Sequence, residues 1–223
     1  MTEIEQKQEL VDCIRMLEQA DIIDYNGHCS IRLEDGRVFI NVGSCQRSQL
    51  TVDDICTIDA NGKVIEGKSN PPLECHLHLG VYRARPDVRA VVHAHPKWST
   101  FLTMVGERYL PVYAQGSLLY PMPVLETPES INTRVMADRL AATLGKRPAA
   151  LMKSHGAVTV GKNIIEAFVL ATYLEDNAWR QYMAMQIGKP YAFSEEELAK
   201  SREKLWTAAL FRRTWDHFRA KLR

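Results

Sequence analysis

Val88-Arg89-Ala90-Val91-Val92-His93-Ala94-His95 reads as a strand that ends in two histidines. Alternation puts Val91, His93 and His95 on one face and Val88, Ala90, Val92 and Ala94 on the other. Just upstream, Pro71-Pro72 opens a helix that runs to about Arg83, and Pro86 ends it. Downstream, Thr127-Pro128-Glu129 has the form of a helix start, a capping threonine with proline in the first turn, leading to about Leu144. Ala149 to Met152 and Ala157 to Val160 are strand-like and flank a turn at His155-Gly156, where glycine lets the backbone turn closely.

Further out, Leu10, Val11, Ile14 and Leu17 recur at helical spacing, which predicts an amphipathic helix over residues 4–20, with Gly27 an interruption after it. Val38 to Val42 and Ile55 to Asp59 read as short strands, and Asp59-Ala60-Asn61-Gly62 turns the chain into a hairpin with Lys63 to Glu66. Residues 109–125 hold short β-like pieces broken by prolines. Asn163 to Met185 is a long helix with Ile164, Phe168, Ala171 and Leu174 on one stripe. Ser194 and Glu197 form a capping box before a last helical region, about residues 194–223, whose stripe Phe211, Trp215, Phe218, Leu222 suits a core or a subunit interface. Helices packed on a mixed or antiparallel sheet, in one domain over residues 1–223, are expected.

The 223 residues fit one large domain, and 46% apolar content is enough for a sizeable core. A formal net charge of +1 gives no electrostatic reason to bind nucleic acid or an anionic membrane. Cys13, Cys29, Cys45, Cys56 and Cys75 are odd in number and none are spaced as CxxC, so reduced thiols in a cytoplasmic protein are expected. Met1 to Ala20 is charged along its length, unlike a signal peptide, and no apolar run approaches the ~20 residues that span a bilayer.

The chemistry lies in the histidines. His93 and His95 project from one strand face, and His155 follows in Lys153-Ser154-His155-Gly156. Three neutral imidazoles suit one divalent metal with an open position, and a nearby carboxylate such as Glu74 could move protons. On spacing alone the pattern is equally a packed strand face and a metal site. Glu74 taken alone is an ordinary first-turn helix glutamate, and His78, one turn later, could bond to it or simply pack.

The order of motifs settles more. Gly27-His28-Cys29-Ser30, Val42-Gly43-Ser44, Pro72-Leu73-Glu74 with His78, Tyr82, Arg85 and Pro86, Val92-His93-Ala94-His95 and Ser154-His155-Gly156 together resemble the class II aldolase/adducin family over about residues 8–190. The resemblance implies a three-layer α/β/α sandwich around a mainly antiparallel sheet. It implies a homotetramer with active sites between subunits, to which Tyr113 and Tyr191 are candidate contributions from a neighbour. It implies His93, His95 and His155 as ligands of one divalent metal, zinc first, with manganese, iron or cobalt as alternatives. Glu74 becomes the acid/base, helped by His28, and its role as proton carrier asks for a pKa raised by burial.

The departures bear on substrate. The family's sugar-phosphate members have Gly-Asn in the first motif, Thr-Gly or Ser-Gly in the second, and Ser-Ser before the acidic residue. Here His28, Val42 before Gly43, and Pro72-Leu73 stand instead, removing donors that a phosphate needs. Gly43, Ser44, Arg47, Lys153 and Tyr113 are the candidate substrate-binding residues, with Arg47, Lys97 and Lys153 as cations for a carboxylate and Trp98 as one wall of a flat slot. The His28 form of the first motif and the His95-Pro96-Lys97-Trp98-Ser99 run are closest to the family's aromatic-acid decarboxylases. The expected activity is decarboxylation of a dihydroxylated aromatic acid such as 3,4-dihydroxyphthalate. The alternatives are an aldolase or epimerase acting on a hydroxy-keto acid or sugar phosphate, and a non-enzymatic adducin-like interaction module.

Overall fold

A computed structural model describes residues 1–222. Its strands, β1 (His28–Arg32), β2 (Val38–Asn41), β3 (Ile55–Ile58), β4 (Val64–Glu66), β5 (Ala90–Ala94), β6 (Val124–Leu125), β7 (Ala149–Met152) and β8 (Gly156–Gly161), form one sheet in the order β4-β3-β2-β1-β5-β8-β7-β6. Every neighbouring pair is antiparallel except β6 with β7. β5, the strand that leads into the paired histidines, lies at the centre between β1 and β8.

Helices cover both faces, as the α/β/α expectation required. Alternate residues of β5 divide between two cores: Val91 faces α2 (Cys75–Ala84) and α4 (Arg134–Leu144), while Ala90, Val92 and Ala94 face α1 (Glu3–Gln19) and α5 (Ile164–Ile187). Val88 precedes the strand and packs with Val91, not on the opposite face as alternation predicted. α2 meets α4 so closely at Gly80 that a Cβ there would stand 2.7 Å from that of Ala137. Among the described residues no helix is long and apolar enough to cross a membrane.

Three elements depart from expectation. β1 was not anticipated, because its alternate residues His28, Ser30 and Arg32 are polar. They face α2, where hydrogen bonding replaces apolar packing: the Arg32 guanidinium donates to the carbonyls of Tyr82 (2.9 Å), Arg85 (3.2 Å), Pro86 (2.7 Å) and Val88. These include carbonyls at the end of α2, which a helix leaves without partners of its own. α3 (Lys97–Met104) was likewise not anticipated. α4 begins at Arg134, capped by Thr133, and not at Thr127. The Thr127 hydroxyl does accept from the Glu129 amide, but the chain then runs on past the histidines before it turns helical.

The last helical region is two helices, α6 (Glu195–Leu205), which starts as the Ser194 capping box indicates, and α7 (Ala208–Arg219), capped by Thr207. The stripe on α7 is core of its own chain. Phe211 and Trp215 are buried, Trp215 stands edge-on to Phe168 of α5 at 5.2 Å, and Phe218 and Leu222 pack partly buried beside them. The stripe therefore does not argue for an oligomer. Truncating Trp215 to alanine should destabilise the protein by about 3–5 kcal/mol, read by denaturant unfolding, since a fully enclosed ring leaves a cavity the fold cannot close. A loss below about 1 kcal/mol would place α7 outside the cooperative core.

Candidate metal centre

β1, β5 and β8 bring one end of the sheet together. His28 begins β1 and stands directly opposite His93 near the end of β5. His95 follows one residue beyond β5. His155 sits in the turn between β7 and β8, after Ser154 at φ 54°. Gly156 next to it is obligatory for this approach, because a Cβ there would lie 2.4 Å from the Ala94 carbonyl oxygen. Glu74 occupies the N-cap position of α2 without capping it, and lies one residue before the helix instead of in its first turn. Its carboxylate is turned away, with Oε1 accepting from the Ile131 amide at 2.7 Å.

Each of the three expected ligand histidines is fixed through Nδ1. His93 Nδ1 meets the Ala157 carbonyl at 3.0 Å, His155 Nδ1 the Glu129 carbonyl at 3.1 Å, and His95 Nδ1 the Asp24 carboxylate at 3.0 Å. Such oxygens only accept, so Nδ1 carries the proton in all three and Nε2 presents a lone pair. The Nε2 atoms of His93 and His95 are buried and have no hydrogen-bond partner among the described residues. Glu74 Oε2 lies 3.4 Å from His93 Nε2 and Oε1 lies 3.6 Å from His155 Nε2, and the ligand atoms of Glu74, His93, His95 and His155 all fall within 4.8 Å of one another. Lone pairs and a carboxylate converging in a buried space repel one another unless a cation joins them. The arrangement fits a divalent ion held by nitrogen and oxygen donors.

Burial shifts these groups in one direction. It lowers His95 and His155, and it takes His28 down to about 4, so that these rings stay neutral near pH 7. For Glu74, burial raises the carboxyl, but the facing His28 ring and the Ile131 amide pull harder and hold it well below the usual carboxylate range. The expected upward shift is thus corrected: Glu74 is a carboxylate, and the polar shell around it outweighs its desolvation.

An open cavity of about 800 Å³ leads to this cluster, and Gly43, Ser44, Arg47, His28, Glu74, His95 and His155 line it. Arg47 is only 4% exposed. Its Nε donates to the Gly27 carbonyl at 2.8 Å and its Nη1 to the Cys45 carbonyl at 2.5 Å, while no carboxylate among the described residues pairs with it. Gly43 borders the cavity, but its amide already donates to the Asn70 carbonyl at 3.1 Å. Lys153 does not belong here: it pairs with Glu126 at 3.1 Å beside a different cavity. Lys97 pairs with Asp21 at the surface, and the Trp98 ring packs on Tyr182. Tyr113 lies under Arg180 and Tyr191 bonds Glu197, so neither reaches its own chain's cavity. Sequence reasoning missed Asp24, whose oxygen holds His95 and also the amides of Asn26 and Gly27.

Fold and site together describe a known class. The chain belongs to the class II aldolase and adducin N-terminal domain family, whose pattern matches residues 8–182. The L-fuculose phosphate aldolase of Escherichia coli K12 is 31% identical over 190 residues, covering 82% of this chain and 86% of the relative. A solved L-fuculose 1-phosphate aldolase superposes with a TM-score of 0.81 at 25% identity, over 92% of this chain and 97% of that one. YgbL from Klebsiella pneumoniae, whose name offers three candidate activities, aldolase, epimerase and decarboxylase, shares the fold with a TM-score of 0.82 at 22% identity, over 91% and 100%.

Asp24→Asn should lower metal affinity about 10–100-fold in competition with a chelator, because it weakens the hold on His95 Nδ1 without touching a ligand atom. Unchanged affinity would show that His95 is not oriented through Asp24.

Proposed function

We propose that this chain is a metal-dependent carbon–carbon lyase acting on an unphosphorylated acid, and specifically a decarboxylase of a dihydroxylated aromatic acid such as 3,4-dihydroxyphthalate, giving protocatechuate. The observation that carries the reading is Arg47, a buried guanidinium without a carboxylate partner, in the same cavity as Glu74 and the histidines. A buried cation of this kind is costly until an anion pairs with it. A substrate carboxylate would do so.

His93, His95 and His155 would hold one divalent ion through their Nε2 atoms, zinc being the first choice. When bound, the ion would stabilise negative charge on a substrate oxygen as the carbon–carbon bond breaks. Arg47 anchors the acid. Glu74, ionised at rest, takes the proton of a substrate hydroxyl as the substrate binds. It then returns that proton to the ring carbon from which carbon dioxide departs, and solvent restores the hydroxyl proton. A carboxylate that serves first as base needs no raised resting pKa.

A second reading has its own support. Two of the relatives are named fuculose phosphate aldolases, and they favour aldol cleavage over decarboxylation. Glu74 and the histidines would serve that reaction equally. Against a phosphate stand Pro72, which has no amide hydrogen, Leu73, which has no hydroxyl, and the Gly43 amide already bonded to Asn70.

Under equal metal loading, carbon dioxide release from 3,4-dihydroxyphthalate should exceed aldehyde release from fuculose 1-phosphate. The opposite order would establish the aldolase reading. Glu74→Gln should keep the metal and reduce turnover about 10²–10⁴-fold, the usual range for a lost acid/base group. Arg47→Met should weaken kcat/KM for the acid roughly 10–100-fold, the worth of a charge-assisted hydrogen bond of about 1.5–3 kcal/mol.

The assembly proposed is a homotetramer. Support comes from an exposed apolar face where α3 packs on α5: Phe101, Met104 and Val105 beside Trp179, Met183 and Ile187. Light scattering at micromolar concentration should give a tetramer, and charged substitutions at Met183 and Ile187 should dissociate it. A wild-type monomer with full activity would exclude this assembly.

A further inference from the structure

Behind His28 runs a chain of buried polar groups that the proposed chemistry does not use. His28 Nδ1 lies 2.7 Å from His78 Nε2, His78 Nδ1 lies 2.6 Å from Ser30 Oγ, and Ser30 Oγ lies 2.7 Å from the Tyr82 hydroxyl. Ser30 and His78 are wholly buried, and Tyr82 is nearly so. Ser30 is the only hydrogen-bond partner of the Tyr82 hydroxyl among the described residues.

The protons along this chain can be counted. In each neutral imidazole one nitrogen carries a proton and the other accepts. Suppose His28 Nδ1 carries it and donates to His78 Nε2. His78 Nδ1 must then carry a proton and give it to Ser30. The Ser30 proton can go only to Tyr82, whose own proton is left without an acceptor, or to nothing. Either way one buried hydroxyl proton is stranded. In the opposite sense none is stranded. Tyr82 donates to Ser30, Ser30 to His78 Nδ1, and His78 Nε2 to His28 Nδ1. His28 Nε2 then bears a proton and faces Glu74 Oε2, 3.7 Å away.

We propose that Ser30, which does not line the cavity, is a positioning residue that fixes the tautomer of His28, so that His28 presents an N–H donor to Glu74 and the substrate and not a lone pair to the metal. His28 is thereby set apart from its neighbours. His93, His95 and His155 are locked with the proton on Nδ1, and His28 is locked with it on Nε2. No change of charge is involved, only the place of one proton in each ring. The proposal extends the reading of His28 as a donor in the site, but the test needs no substrate and so fails or succeeds independently of which acid is cleaved.

The test is a long-range proton–nitrogen NMR correlation on histidine-labelled protein loaded with zinc, which separates a protonated ring nitrogen from one with a lone pair. His28→Asn and His78→Gln each delete one ring and assign the signals. The wild-type rings of His28 and His78 should both be protonated at Nε2; protonation of His28 at Nδ1 would overturn the proposal. Ser30→Ala removes the donor to His78 and should move both rings toward a mixture of tautomers, whereas unchanged spectra would dismiss Ser30 as the determinant. Ser30→Thr restores the hydroxyl and should restore the wild-type pattern. Tyr82→Phe leaves the Ser30 proton with His78 as its only acceptor, so both tautomers should persist; a switch there would show that Tyr82, not Ser30, sets them.

Discussion

The Glu74 carboxylate is buried among the Nε2 atoms of His28, His93 and His155, at 3.7, 3.4 and 3.6 Å. A charge in such a place is tolerable only if its surroundings are fixed in orientation, because a free imidazole could turn to offer a proton or a lone pair. Here rotation is prevented from behind. Each ring is held by the nitrogen that faces away from the centre, through Ala157, Glu129, Asp24 or His78. The His28 ring and the Ile131 amide, more than the carboxylate's own burial, decide that Glu74 rests ionised.

The rest of the fold supplies those back-side partners. The Ala157 carbonyl is available to His93 because β8 lies beside β5, a contact that the absence of a side chain at Gly156 permits. The Glu129 carbonyl and the Ile131 amide reach the site because the chain delays its helix until Arg134. Arg32 ties the end of α2 to β1, which keeps His78 and Tyr82 in register with His28 and Ser30. A face of β1 that looks too polar for a central strand is therefore the device that joins the sheet to α2.

This explains which parts of the fold and site are legible in the sequence. Period-2 alternation around His93 located β5, the apolar stripe from Ile164 located α5, and the capping box at Ser194 located α6, because those elements are shaped by local pattern. β1 escaped, since its residues at 28, 30 and 32 satisfy each other by hydrogen bonds with α2, an effect of tertiary structure. The metal-type cluster was readable from three histidines in a familiar order, but Asp24 was not, as nothing local links it to a residue 71 positions away. Arg47 and Lys153 looked alike as cations beside motifs. Burial separates them. Arg47 is enclosed by backbone carbonyls, while Lys153 stays at the surface with Glu126.

The tautomer of His28 bears on how an anion is told from its rivals. Read as a change of residue type, histidine in place of asparagine removes an amide donor. A ring held with its proton on Nε2 restores one donor at that position, so His28 alone does not exclude a phosphate. Gly43, Pro72 and Leu73 line the same cavity. Gly43 has committed its amide to Asn70, Pro72 has none, and Leu73 has no hydroxyl. Of the Arg47 nitrogens, Nε and Nη1 are engaged by carbonyls, and Nη2 makes no hydrogen bond among the described residues. One fixed, buried guanidinium with its Nη2 unengaged is the physical basis on which this cavity would take a substrate carboxylate.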